Sequence, residues 1–231
     1  MIDVSVEWGV HGARALAGCC DVLVIVDVLS FSTAVTVAVE RGAKVWPHQG
    51  GEEARVLARE IGAILAGNRG SHDGPTLSPL SLIGLAEGSR LILPSSNGSS
   101  MSSAAVSGDV PLVAGCLRNA LAVAQHVAGY DRIGIVPAGE RWADGSLRPA
   151  YEDWIGVGAL VERLLKCVPG AELAPAAEAA AAAFRLLRPL TECPSGAELA
   201  DRGFLEDVRI AAEVDASDVV PVLRDGRFVA A

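Results

Sequence analysis

The stretch Val22-Leu-Val-Ile-Val26, apolar at every position and closed by Asp27, constrains this chain most. A strand with one wet face alternates apolar and polar residues, so a run without alternation has to be covered on both faces. Further short strand-like runs lie at Asp3–Glu7, Ala43–Pro47, Ala63–Ala66, Arg90–Leu93, Pro111–Ala114 and Arg132–Val136. Helical patterns accompany them at Ser32–Arg41, Glu52–Ile61, Ser99–Val106, Asn119–Val127 and Tyr151–Val168. Such alternation predicts an α/β layered domain. After Pro169 the pattern changes to an Ala-rich helix, Ala176–Leu187, then short helical pieces. A hairpin follows, Val219–Leu223 with Arg227–Val229 around Asp225-Gly226. No flexible linker precedes this region, so residues 1–231 form one expected domain with a helical C-terminal appendage over about 170–215.

Composition narrows the function classes. Half the chain is apolar and a fifth charged, which excludes disorder as the main state. Nineteen basic against 28 acidic residues leave a net charge of −9, against a nucleic-acid partner. The apolar run at 22–29 breaks at Asp27, and the Ala-rich stretch carries Glu178 and Arg185, so no membrane span is expected. The first residues lack a signal-peptide pattern, and a cytoplasmic protein is expected. Cysteines 19, 20, 116, 167 and 193 show no CxxC spacing and suit free thiols in a reducing compartment. Histidines 11, 48, 72 and 126 are scattered, without ligand spacing.

Polar residues gather where strands end. Asp27-Val-Leu-Ser30-Phe-Ser32-Thr33, Gly67-Asn68-Arg69-Gly70, Ser95-Ser96-Asn97-Gly98-Ser99-Ser100 and Ala138-Gly139-Glu140-Arg141 each follow a predicted strand. Open α/β sheets bind ligands outside the carboxyl ends of their strands. The Ser95–Ser100 segment suits an oxyanion, with Gly98 allowing a close turn and a following helix start offering free N–H groups. An ordinary Ser N-cap is the competing interpretation. Asp27, ending an apolar strand, is either a metal ligand or a cap for the helix near Ser32. Glu152-Asp153 opens a helix, where acids ordinarily meet the dipole in solvent; paired carboxylates also suit a hard divalent cation. No nucleophile elbow, Walker loop or dinucleotide fingerprint occurs.

The motif Val24-Ile-Val-Asp27-Val-Leu-Ser30-Phe-Ser32-Thr33 with Gly42-Ala43 resembles the opening of the 2-phosphosulfolactate phosphatase family. Ala66-Gly67-Asn68-Arg69-Gly70, Ser78-Pro79, Ser95–Ser99, Arg118-Asn119-Ala120, Ala138-Gly139 and Glu152-Asp153 follow in the family's order. So do Ser195-Gly196, Asp207-Val208 and Val220-Pro221, and the likeness spans about Asp21 to Val229. It implies a three-layer α/β/α sandwich with a mostly parallel or mixed central sheet, and Mg2+-dependent hydrolysis of a small anionic phosphomonoester. The family's substrate is 2-phosphosulfolactate, on the way to coenzyme M. By this resemblance Asp27, Glu152 and Asp153 are metal ligands and, with Asn97, catalytic. Ser30, Ser32, Thr33, Arg69, Ser95, Ser96, Gly98, Ser99, Asn119 and Glu140 are the expected substrate contacts. A homodimer or higher homo-oligomer is expected.

Two departures stand out: Ser30 where the family usually has Arg, and Asn68 where it usually has Glu. A lost guanidinium removes a bidentate oxyanion clamp. Arg69 is the favoured replacement anchor, ahead of Arg118 and Arg141. The other function class left open is an inactive relative that keeps the anion cradle.

Overall fold

A computed structural model describes residues 2–70, 74–106 and 110–231; His72 lies outside them. The chain opens with β1 (Asp3–Val6), α1 (Gly9–Ala17), β2 (Val22–Val26), α2 (Phe31–Glu40), β3 (Lys44–His48) and α3 (Gly51–Ile61). It continues with β4 (Ile64–Leu65), α4 (Pro79–Leu82), β5 (Arg90–Pro94), α5 (Ser96–Val106), β6 (Leu112–Gly115) and α6 (Ala120–Val127). Next come β7 (Arg132–Pro137), β8 (Glu140–Arg141), β9 (Leu147–Arg148), α7 (Tyr151–Cys167), β10 (Glu172–Leu173) and α8 (Pro175–Arg185). The last elements are α9 (Pro194–Asp201), α10 (Leu205–Ala212), β11 (Pro221–Arg224) and β12 (Arg227–Ala230).

Strand β2 shows why the sheet is covered on both sides. Val22, Val24 and Val26 enter a core with Val123 of α6, Leu160 of α7 and Ala180 of α8. Leu23 and Ile25 point the other way, into a core with Leu16 of α1, Val35 of α2 and Met101 of α5. Each such buried side chain stabilises the fold by roughly 1.5–3 kcal/mol relative to exposure. The result is the expected three-layer α/β/α arrangement. On β5 the same alternation holds: Leu91 and Leu93 join α2 and α5, while Ile92 meets Ala54 and Ala58 of α3.

Sheet order is β10-β1-β7-β2-β6-β11-β12-β3-β5-β4. Pairs β10–β1–β7–β2–β6 are parallel, as are β3–β5–β4. The β11–β12 hairpin is antiparallel within itself and to both β6 and β3, so the sheet is mixed. The hairpin expected from Asp225-Gly226 therefore lies in the middle of the sheet. Its Phe228 is fully buried and meets the Phe31 ring edge-on, centroids 6.0 Å apart. No helix among the described residues is long and apolar enough to cross a membrane.

Two local expectations change. Helix α5 begins at Ser96 rather than Ser99, so Asn97, Gly98 and Ser99 occupy its first turn instead of a loop. Gly98 accordingly serves packing, not a turn: a Cβ there would stand 2.3 Å from the Phe31 ring. Helix α1 and the β8–β9 hairpin have no counterpart in the sequence expectations.

Candidate active site

Asp27 leaves the sheet at the end of β2 and is 7% exposed. Its Oδ1 accepts the Phe31 amide at 2.9 Å, so the capping role weighed for it is realised by one oxygen. Ser32 Oγ accepts the Asp27 amide and donates to Ile25 O. Thr33 Oγ1 donates to Val28 O at 2.8 Å. Both hydroxyls, expected to meet substrate, are fully buried and instead wire the first turn of α2 to this loop.

Asp153, in the first turn of α7, joins two strand ends. Its Oδ1 accepts Val28 N at 2.7 Å and its Oδ2 accepts Gly139 N at 2.8 Å. The Gly139 carbonyl takes Asn97 Nδ2 at 3.0 Å. The ends of β2, β5 and β7 thus converge on Gly139, whose φ of +67° favours glycine. With one backbone amide on each oxygen, Asp153 positions the loops after β2 and β7.

Glu152 is 2% exposed and its Oε2 has no hydrogen-bond partner. A buried carboxylate oxygen without a hydrogen-bond partner is costly, and a bound cation would offset that cost. Burial, then the Glu152 charge, pushes Asp27 up to about 6. Burial and the charges of Asp27 and Glu152 raise Glu140 to about 7, and Asp153 rises for the same reasons. Four acids repelling one another in a low-dielectric recess are what a divalent cation would relieve. Among the described residues no three His, Cys, Asp or Glu side chains form a complete metal cage. Mg2+ does not require one, since it is commonly held by one or two carboxylates plus water and substrate phosphate. Asp27 and Glu152 fit that pattern.

Arg69 Nη2 donates to Ser30 Oγ at 2.7 Å and to Leu77 O at 3.1 Å. Its Nε lies 3.3 Å from Asp207 Oδ2 of α10, and its guanidinium sits 5.4 Å from the Phe204 ring centroid. Asp207 also accepts Ser78 Oγ and Leu80 N, tying the start of α4 to α10. Asp207 as an anchor was not anticipated; the resemblance contained it, but an acid in an early helical turn carries no local signal of a remote arginine.

The serine-rich segment divides. Ser95 Oγ accepts Gly98 N at 3.1 Å, the ordinary N-cap bond, and Ser99 Oγ turns back to Ser95 O. Ser96 is exposed, and Asn97 is partly exposed beside it. Asn119 is a correction. Fully buried, it accepts Cys116 N and donates to Thr36 Oγ1, Ala114 O and Val219 O, holding the segment before β11 against β6. Arg118 pairs with Glu213 and Glu40 and is likewise structural. Glu140 and Asn97 line a cleft of about 680 Å³.

A family model described as 2-phosphosulpholactate phosphatase matches residues 12–226. The "Probable 2-phosphosulfolactate phosphatase" of Carboxydothermus hydrogenoformans is 34% identical, covering 90% of this chain and 89% of its own. The "2-phosphosulfolactate phosphatase" of Methanothermobacter thermautotrophicus is 30% identical over 89% of this chain and 88% of its own. The "Probable 2-phosphosulfolactate phosphatase" of Deinococcus radiodurans is also 30% identical, over 91% of each. With a match of that extent laid over strand-end loops that converge on buried acids, the chain belongs to the 2-phosphosulfolactate phosphatase family.

Proposed function

We propose that this protein is a phosphatase that hydrolyses a small anionic phosphomonoester, 2-phosphosulfolactate or a close relative, with Mg2+ held by Asp27 and Glu152. The observation that carries the metal assignment is the unpartnered, buried Glu152 Oε2 among mutually repelling acids. When bound, Mg2+ supplies positive charge to the phosphoryl oxygens. Asn97 and the open first turn of α5 hold the phosphoryl group, and Asp153 keeps the loops after β2 and β7 in register. Glu140, on the cleft wall with a carboxyl raised to about 7, is the proton carrier. The P–O ester bond breaks and the departing oxygen takes the Glu140 proton. Water's oxygen joins phosphorus, and its released proton restores the acid.

A phosphate-release assay over a panel of phosphomonoesters, with Mg2+ and with chelator, tests this. Metal-dependent release that favours small anionic esters is expected; no release from any member contradicts it.

A further inference from the structure

The cleft beside Glu140 continues to a wall that the proposed chemistry does not use. Besides Asn97 and Glu140 it is lined by His11 and Arg14 of α1, Gln49, and Arg141 of β8. Arg14 and Arg141 come from elements remote in sequence, yet face one cavity. Among the described residues eleven arginines pair with carboxylates, and neither of these two does. Both side chains are exposed and border the same cleft. The Arg141 bond to Gly145 O, at 3.0 Å, steadies its head across the hairpin and leaves further donors. The first turn of α1, whose Trp8 side chain makes no capping bond, opens on the same space.

We propose that Arg14 and Arg141 form a second anion subsite, receiving a sulfonate or carboxylate that the substrate carries away from its phosphoryl group. This rests on the phosphatase assignment only for where the phosphoryl end lies. It makes these two arginines the specificity determinants. A guanidinium gives an oxyanion two parallel N–H bonds, which a neutral ester group cannot exploit.

Calorimetric titration of the intact protein with sulfolactate, malate and lactate, none of which carries phosphate, tests the subsite directly. Arg14→Gln and Arg141→Gln are each expected to weaken sulfolactate binding about tenfold, the scale of one charged hydrogen bond. Malate against sulfolactate separates carboxylate from sulfonate preference, and lactate, with one acid, binds most weakly. In turnover, the ratio of kcat/KM for 2-phosphosulfolactate over phenyl phosphate falls about tenfold in either variant. Unchanged sulfolactate affinity in both variants, no sulfolactate binding to the wild type, or an unchanged ratio would overturn the subsite. Arginine-dependent sulfolactate binding by a protein that releases phosphate from no ester would uphold the subsite and defeat the phosphatase assignment.

Discussion

Arg69 and Ser30 share a hydrogen bond of 2.7 Å, which puts a guanidinium from the loop after β4 against the loop that follows β2. The arginine that the resemblance leads one to expect at position 30 is absent, and Arg69, itself part of the matching Gly67-Asn68-Arg69-Gly70 segment, brings a guanidinium to the Ser30 hydroxyl. Arg69 is held there by Asp207, Leu77 O and the Phe204 ring, so its geometry does not depend on substrate. Arg69→Ala is expected to raise KM for anionic phosphoesters about tenfold or more, the worth of one charge-assisted hydrogen bond. Ser30→Arg places two guanidiniums in contact and is expected to weaken turnover. The exchange Ser30→Arg with Arg69→Ser should recover part of it. Steady-state kinetics on the three variants checks this, and a gain from Ser30→Arg alone contradicts it.

Asp153 and Glu152 are adjacent acids with opposite expected phenotypes. Asp153→Asn sets an amide donor against the amides of Val28 and Gly139, and is expected to cost about 1–3 kcal/mol of stability. Glu152→Gln replaces a buried carboxylate whose Oε2 has no hydrogen-bond partner. In metal-free protein it is expected to be neutral or stabilising, while Mg2+-dependent turnover is lost. Denaturant melts with chelator, paired with activity assays, separate the two; equal destabilisation would refute the division.

Stability should fall as pH rises in the absence of metal. Asp27 at about 6 and Glu140 at about 7 lie above their unfolded values near 3.9 and 4.3. Between these limits the folded state binds more protons than the unfolded, so raising pH costs stability across that window. Asp21 and Asp144 shift downward and act only in more acidic solution. Metal-free protein is expected to melt a few degrees lower near pH 8 than near pH 5, with Mg2+ restoring the loss. A melting temperature that rises over this range in chelator goes against it.

Gly98→Ala tests the packing between α5 and α2. The added methyl meets the Phe31 ring, which is itself locked against Phe228. A loss of about 1–3 kcal/mol in chemical denaturation is expected, as for other overpacked cores. An unaffected midpoint would show that α5 shifts freely.

Most of the fold was legible because β2 and its neighbours keep their apolar runs unbroken, and strand ends carry their polar residues close behind. Helix α1 escaped although it is amphipathic: three of its four buried positions are Gly9, Gly12 and Ala13, and only Leu16 is a large apolar residue. The hairpin was legible from Asp225-Gly226, but its place between β6 and β3 rests on single residue pairs to each neighbour, which leave no sequence signature. At the site, Asp27 could be found as an acid closing an apolar strand, whereas Glu152, in a first helical turn, came only from the resemblance. Asn119, Ser32 and Thr33 were misassigned because a buried hydroxyl or amide that holds backbone looks, in sequence, like one that holds substrate. Burial separates the two, and burial is a property of the assembled layers.

Asp27 and Glu152 are proposed to hold the metal on which phosphoester hydrolysis depends. Phosphate release from 2-phosphosulfolactate by wild type and Glu152→Gln, each with Mg2+ and with chelator, tests it most directly. Turnover in the wild type with Mg2+, and in none of the other three conditions, is the predicted result. Undiminished release by Glu152→Gln, or by wild type in chelator, would contradict it.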